Sequence, residues 1–363
     1  MGNATSSKSG SSGIKRRRES QGQLKIVHGR GMNNMSDAYK LPADVAEMDR
    51  LRLQHHMWKL LLGGLCPAPI RSTVEQKLEA REGYTPSVLD LGSGSGIWAS
   101  EIASTYPHVN VVGFDLIKNT SAAFPENCRF ITGDLTKGFT LDGSGLPPDF
   151  REGFDIVHCR CVLGHLRDAR GALDLVTQCL KPGGVLLLAD GSSNIYDERK
   201  QVAAGAREGE ATHSRSWFAR WGEEVRSGLG KGVEFPFPQR VSCLQESGEY
   251  ELVDFRDYFA PIGWSGESIE HGEEIGQITK KNSLVGLPRL CGSRIRSNES
   301  LSNTKEWMDG FRPMMLEAGH PADVVDRWIS EVRNELREPA IRLYTIWPTG
   351  WAVKKTSKND VRP

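Results

Sequence analysis

The chain has 363 residues, 46 Lys and Arg against 46 Asp and Glu, and 38% apolar content. That length and apolar share allow a sizeable core in one large domain or two small ones, and the neutral balance offers no overall attraction to nucleic acid. Seven cysteines, an odd number without an apolar leader, fit free thiols in a reducing compartment, and the longest apolar runs, such as Val185 to Ala189, are too short to span a bilayer.

Residues 1–38 are rich in Ser, Gly, Asn, Lys and Arg and poor in large apolar side chains, so a disordered basic tail is expected there. Met1-Gly2-Asn3-Ala4-Thr5-Ser6 fits the N-myristoylation pattern, and Lys15-Arg16-Arg17-Arg18 follows closely. An acyl chain plus a basic cluster is a two-signal membrane anchor, while the same cluster also reads as a nuclear import signal or a plain solvated charge run. A cytoplasmic protein is expected, with membrane association or the nucleus as alternatives. Order should begin at Tyr39, and Asp44 is placed to cap a helix over 42–62 that carries Val45, Met48, Leu51, Met57 and Leu60 at helical spacing.

Val88-Leu89-Asp90-Leu91-Gly92-Ser93-Gly94-Ser95-Gly96-Ile97-Trp98 reads as a buried strand, a glycine turn and the start of a helix. Such glycines let the backbone take positive φ and approach a ligand that the free N–H groups of the helix also face. Val109 to Phe114 is the next strand and ends in Asp115, an acid placed for a ribose diol. Cys128 to Gly133 ends in Asp134, whose carboxylate suits an exocyclic adenine amine. Together these residues describe an adenosine-shaped site. A dinucleotide turn would need glycine where Ile97 stands, and no basic residue lies in the turn to meet a pyrophosphate. S-adenosylmethionine has no phosphate and carries two cationic groups, which Asp90 beside the turn favours.

Phe154 to Arg160 is expected as the fourth strand, followed by a helix with Leu173, Val176 and Leu180 on one face. Lys181-Pro182-Gly183-Gly184 should stop that helix before a fifth strand, Val185 to Ala189. The alternation of strands and helices over 87–190 is that of a doubly wound parallel sheet within a cofactor-binding core spanning 86–264. Residues 199–228 look helical, Tyr250 to Phe259 reads as a strand, and 265–304 is polar and glycine-spotted, a natural lid. Val324, Val325, Trp328, Ile329, Val332 and Leu336 share one side of a later helix, so 265–338 reads as a mostly helical insertion before a closing strand over 342–354 and a tail over 356–363. Cys159 and Cys161, one residue apart in a strand, do not make a zinc site, and no metal is expected.

At these motifs the chain resembles class I S-adenosylmethionine-dependent methyltransferases, and more narrowly the LaeA-like family of fungal methyltransferases. The narrower likeness rests on Tyr39-Lys40-Leu41-Pro42-Ala43-Asp44 with Asp49-Arg50-Leu51 and Gln54-His55-His56, on the turn followed by Ile97-Trp98, and on Arg333 to Lys355 with Tyr344, Trp347, Pro348 and Trp351. It covers residues 39–355 and implies an α/β, Rossmann-like, doubly wound sheet of seven mostly parallel strands with the last antiparallel, under a lid formed by the N-terminal helix and the insertion. It carries Asp90, Gly92, Gly94 and Gly96 onto the cofactor turn, Asp115 onto the ribose, and Asp134 with Leu135 onto the adenine. Cys161 to Leu166 departs from the family pattern where the acceptor should sit, so the acceptor is not carried over.

Methyl transfer is an in-line displacement that needs positioning above all, and a phenol or alcohol acceptor also needs a group to take its proton. His165, in the loop after the fourth strand, is the candidate base, with a solvent-exposed or helix-capping histidine as the plainer reading. His158 suits a buried, hydrogen-bonded imidazole. Arg160 is placed for the methionine carboxylate, a substrate acid or a simple salt bridge. Gln54 and His55 either fold over the cofactor or form the wet face of their helix. Asp190 ends the fifth strand near the acceptor. Tryptophans 217, 221, 264, 307, 328, 347 and 351 either wall an apolar acceptor pocket or belong to the core. The expected activity is S-adenosylmethionine-dependent methylation of a small molecule in fungal secondary metabolism. The alternatives are a LaeA-like nuclear regulator acting through protein partners and a protein or RNA methyltransferase, the RNA version disfavoured by the lack of a basic, aromatic stripe.

Overall fold

The fold is that of a computed structural model, which describes residues 24–27, 30–34, 43–117, 123–140, 142–208, 215–229, 236–284 and 307–356. A hairpin of β1 (Lys25–Val27) and β2 (Arg30–Met32) falls inside the stretch expected to be a disordered tail. Its anchor is tertiary: Gly31 N donates to Asp44 Oδ2 at 3.2 Å, and Ala43 N to the Gly31 carbonyl at 2.7 Å. Gly2 and Lys15 to Arg18 lie outside the described residues. Helix α1 (Val45–Leu62) starts where Asp44 accepts from Glu47 N and stops at Gly63, which is left-handed at φ 67°.

The chain continues through α2 (Ala68–Leu78), β3 (Ser87–Leu91), α3 (Ile97–Thr105), β4 (Asn110–Asp115), β5 (Cys128–Thr132), β6 (Phe154–Arg160), α4 (Ala169–Cys179), β7 (Leu180–Ala189) and β8 (Ile195–Tyr196). There follow α5 (Trp217–Leu229), α6 (Phe237–Glu246), β9 (Tyr250–Pro261), α7 (Gly272–Leu284), α8 (Trp307–Glu317), α9 (Ala322–Arg337) and β10 (Tyr344–Lys354). The main sheet runs β5-β4-β3-β6-β7-β10-β8, with β9 on the free side of β10. Strands β3 to β7 are mutually parallel, and β10 is antiparallel to β7, β8 and β9. Seven strands were expected, and the two-residue β8 makes eight. Strand order reverses between β3 and β6, and the crevice at their carboxyl ends is where such sheets bind ligands.

Two clusters cover the sheet. Leu173, Val176, Val241 and Leu244 from α4 and α6 pack with Phe139 and Phe150 in one, and Ile70, Val74, Leu78, Trp98 and Ile102 from α2 and α3 pack in the other. A third core lies in the C-terminal helices. There α9 buries Val325, Trp328, Ile329, Val332 and Leu336, the i, i+3, i+4 stripe visible in the sequence.

Two local expectations are corrected. Lys181 to Gly184 belong to β7 and do not merely stop a helix: they form an irregularity of that strand opposite the single residue Asp155, and Lys181 Nζ pairs with Asp155 Oδ2 at 2.8 Å. Residues 197–201 form a turn organised by Asp197 Oδ1, which accepts from Arg199 N and Gln201 N, and among the described residues of 199–228 only α5 is helical. Helix α6, opened by Pro238 in its first turn, has no expectation behind it. The polar stretch after Ser265 contains α7, which buries Ile275 and Ile278 among Met57, Trp58 and Leu62 of α1.

Candidate active site

Three glycines set the turn between β3 and α3, with φ of 65°, 52° and 72° at Gly92, Gly94 and Gly96. A Cβ at Gly92 would stand 2.2 Å from Val162 Cγ2, and one at Gly96 would stand 2.7 Å from Phe130 Cζ. Sterics and backbone angle both demand glycine at these positions. Helix α3 begins with no side-chain cap, which leaves its first N–H groups for a ligand or water.

Two strand-end acids flank the turn. Asp115 Oδ2 accepts from Gly94 N at 2.7 Å and Oδ1 from Ile117 N at 2.9 Å, and burial pushes its pKa up. Each oxygen keeps a lone pair for a further donor. Asp134 Oδ1 accepts from Thr136 N and Thr136 Oγ1 at 2.9 and 2.6 Å, while Oδ2 is buried without a hydrogen-bond partner and the Lys137 Nζ stands off at 3.9 Å. Ser93 Oγ, in the turn itself, is buried and unpartnered too. Leu135 lines the same cleft.

Behind the turn, Asp90 Oδ1 accepts from His158 Nδ1 at 2.7 Å. The imidazole stacks on the Trp98 indole at 3.8 Å between centroids, and Trp98 Nε1 donates to the Leu65 carbonyl. Burial holds the His158 pKa below its ordinary value, so a neutral ring donates to a carboxylate, the buried role expected of it. Arg160 lines the cleft and meets no carboxylate among the described residues. Its Nη2 donates to His55 Nδ1 at 3.1 Å, and its guanidinium lies 5.7 Å from the Trp58 ring centre. Burial first, then the Arg160 charge, pushes His55 down to about 2, so it accepts as a neutral base. Gln54 reaches the cleft wall, whereas His55 sits behind it as support for Arg160.

A second cavity adjoins the first and shares Leu51, Gln54, Cys161 and His165 with it. His165 ends a short 3-10 turn, Leu163–His165, at the junction, and burial lowers its pKa. Asp190 lines the second cavity and accepts from Arg240 Nη1 at 2.6 Å, Gly164 N at 3.1 Å and Gly191 N at 2.9 Å. Across from it, Arg50 pairs with Glu47 at 2.6 Å and donates to Asn282 Oδ1 at 3.3 Å. Cys161 has φ 58°, uncommon outside glycine, and burial pushes its thiol up to about 12, far from a nucleophilic thiolate.

The tryptophans divide. Trp221 and Trp347 wall the second cavity, Trp328 and Trp351 lie in cores, and Trp264 Nε1 donates to the Leu343 carbonyl. Trp217 packs against the α5 and α9 core, and the Trp307 side chain lies outside the described residues.

Residues 66–236 match a family described as a methyltransferase domain. The chain is 29% identical to the secondary metabolism regulator laeA of Coprinopsis cinerea over 206 residues, which are 56% of this chain and 47% of that protein. It therefore spans about half the length of that regulator. It is 27% identical to methyltransferase str2 of Strobilurus tenacellus over 274 residues, 75% of this chain and 87% of that one. With methyltransferase pytC of Aspergillus terreus it shares 30% identity over 272 residues, 73% of this chain and 74% of the relative. The chain is a class I S-adenosylmethionine-dependent methyltransferase of the LaeA-like family.

The cleft of this methyltransferase fits S-adenosylmethionine on its own observations. Asp134 Oδ2 and Ser93 Oγ are buried polar atoms that lack partners, and Arg160 is the single Lys or Arg among the described wall residues, so nothing there is built for a pyrophosphate. Among the described residues no cluster of His, Cys, Asp and Glu could hold a metal, and no helix is long and apolar enough to cross a membrane. Six cysteines are free, and the seventh, Cys291, lies outside the described residues. Trp98 under His158, Arg240 on Asp190, and Arg50 on Asn282 carried no local signal in the sequence, since each joins residues far apart along it.

Proposed function

We propose that this methyltransferase acts on a small molecule of fungal secondary metabolism, with the cofactor in the first cleft and the acceptor in the second. The observation that carries the reading is the junction: His165, Gln54 and Cys161 belong to both cavities, so a group bound in one faces a group bound in the other. Asp115 takes the ribose hydroxyls, Asp134 Oδ2 and Leu135 the adenine, and the turn at Gly92, Gly94 and Gly96 with Asp90 lies along the methionine portion. Arg160, positioned by His55, takes the carboxylate, and Gln54 closes over the cofactor. S-adenosylmethionine supplies an electrophilic methyl carbon. The protein aligns the acceptor with that carbon and excludes water. His165, kept neutral by burial, accepts the proton of a phenol or alcohol as its oxygen becomes the nucleophile.

The likeness to str2 and pytC supports an enzyme. The likeness to the laeA regulator favours a second reading, a regulatory protein acting through protein partners. Calorimetry with S-adenosylhomocysteine, followed by incubation of metabolite extracts with a labelled methyl donor, separates the two. Asp115→Ala should weaken binding about 10- to 100-fold, the worth of hydrogen bonds to a charged group. His165→Gln should lower methyl transfer to a phenol and leave that affinity unchanged. Tight cofactor binding with no labelled metabolite would move the regulatory reading to first place, and unaltered affinity in Asp115→Ala would remove the ribose assignment.

A further inference from the structure

The second cavity holds an unanswered donor. Trp221 is 1% exposed and lines the cavity from α5, yet its Nε1 is buried with no hydrogen-bond partner among the described residues. A buried N–H left unpaired costs about 1–3 kcal/mol, so an unpaired one in a cavity wall points to a partner that arrives with the ligand. The indole is also held in place. Helix α5 presses so close to the loop before β8 that a Cβ at Gly222 would stand 2.1 Å from the Ser193 carbonyl oxygen, and Phe218 and Val225 fix its other side in the C-terminal core.

The charges around this cavity are already matched. Asp190 is paired with Arg240 and Arg50 with Glu47, each at 2.6 Å, and burial keeps His165 neutral. A carboxylate, phosphate or ammonium group entering here would lose its water and meet no spare counter-charge among the described wall residues. The remaining wall carries no further charge: Phe218, Val225 and Trp347 line it together with uncharged polar side chains such as Ser192, Thr279 and Thr345.

We propose that Trp221 is a specificity-determining residue whose Nε1 donates to a carbonyl or ether oxygen of an uncharged aromatic or polyketide-like methyl acceptor. This rests on the acceptor assignment of the second cavity. It adds a polarity rule to that assignment: one oxygen acceptor at the indole and no net charge.

The test uses the full chain saturated with S-adenosylhomocysteine and three matched phenols, 3-hydroxyacetophenone, 3-ethylphenol and 3-hydroxybenzoate, titrated by calorimetry or ligand-observed NMR. The wild type should bind the ketone about fivefold more tightly than its ethyl analogue, the size of one neutral hydrogen bond. It should bind the carboxylate more weakly than either. Trp221→Phe, which keeps an aromatic ring and removes the N–H, should bind both neutral phenols equally and hold the ethyl analogue as the wild type does. A ketone preference that survives in Trp221→Phe, equal binding of the ketone and the carboxylate, or no binding of any of the three would overturn the proposal. Binding of S-adenosylhomocysteine is read in the same samples. Its absence in the wild type would count instead against the cofactor assignment, so the two failures are distinct.

Discussion

The cleft at the β3 turn draws most of its polar groups from one run of chain, Asp90 to Arg160, while the cavity beyond His165 gathers Arg50, Asp190, Trp221, Asn282 and Trp347 from scattered elements. The first is fixed by backbone: three left-handed glycines and an acid that accepts from Gly94 N. The second is fixed by side chains that pair with one another across the fold. Backbone geometry of that kind suits one ligand held in one pose, whereas a wall of distant side chains sets a shape and polarity that differ from one acceptor to another.

If the two halves are as independent as this contrast implies, they should fail separately. Arg240→Met should have the largest effect, because it leaves the buried Asp190 carboxylate without its cation. A loss of about 3–5 kcal/mol in denaturant unfolding is expected, with S-adenosylhomocysteine affinity of the folded protein unchanged. Gly92→Ala should do the reverse. Its Cβ collides with Val162 Cγ2 at 2.2 Å on a left-handed backbone, so about 2–5 kcal/mol should be lost at the turn and cofactor binding should disappear from calorimetry. Equal damage to cofactor binding from both variants would break the comparison.

The smallest effect sharpens it at the seam. His55 titrates near 2 in the fold against an ordinary 6.5, so the unfolded chain takes up a proton below 6.5 that the folded one refuses. The stabilisation is therefore complete above 6.5 and is lost as pH falls from there toward 2, by at most about 1.4 kcal/mol per pH unit. His55→Asn keeps an acceptor for Arg160 and removes the titration. Urea unfolding at about pH 7 and about pH 5.5 should show a shallower loss in the variant, by about 1 kcal/mol. Equal losses would place the acid sensitivity elsewhere, at His158 or His165.

The same contrast explains what could be read in advance. The cofactor turn, Asp115 and Asp134 stand at the ends of consecutive strands, so local spacing alone brings them together. In the other half, Trp221 and Trp328 look alike in the sequence and share one core, and only tertiary packing puts Trp221 at a cavity wall as well. Arg240 lies on α6, which was not expected as a helix, so its pairing with Asp190 was out of reach. The strand residues Lys181 to Gly184 were hidden because Pro-Gly-Gly reads as a break unless its pairing as an irregularity opposite Asp155 is known. The β1 and β2 hairpin depends on Asp44, which the composition of its own segment does not reveal.

Strand β10 is buried along its whole length, and through it β7 and β9 become part of one sheet. Thr349 faces Ala189 on one side and Arg256 on the other, and Val353 faces Val185 and Leu252. A ribosome delivers β9 well before β10. Until Lys354 is free of the exit tunnel, the outer edge of β7 and both edges of β9 have no strand to pair with among the described residues, a period of exposure to aggregation and to chaperones. The newborn protein thus receives the β3 turn early and Trp347, on the wall of the second cavity, last.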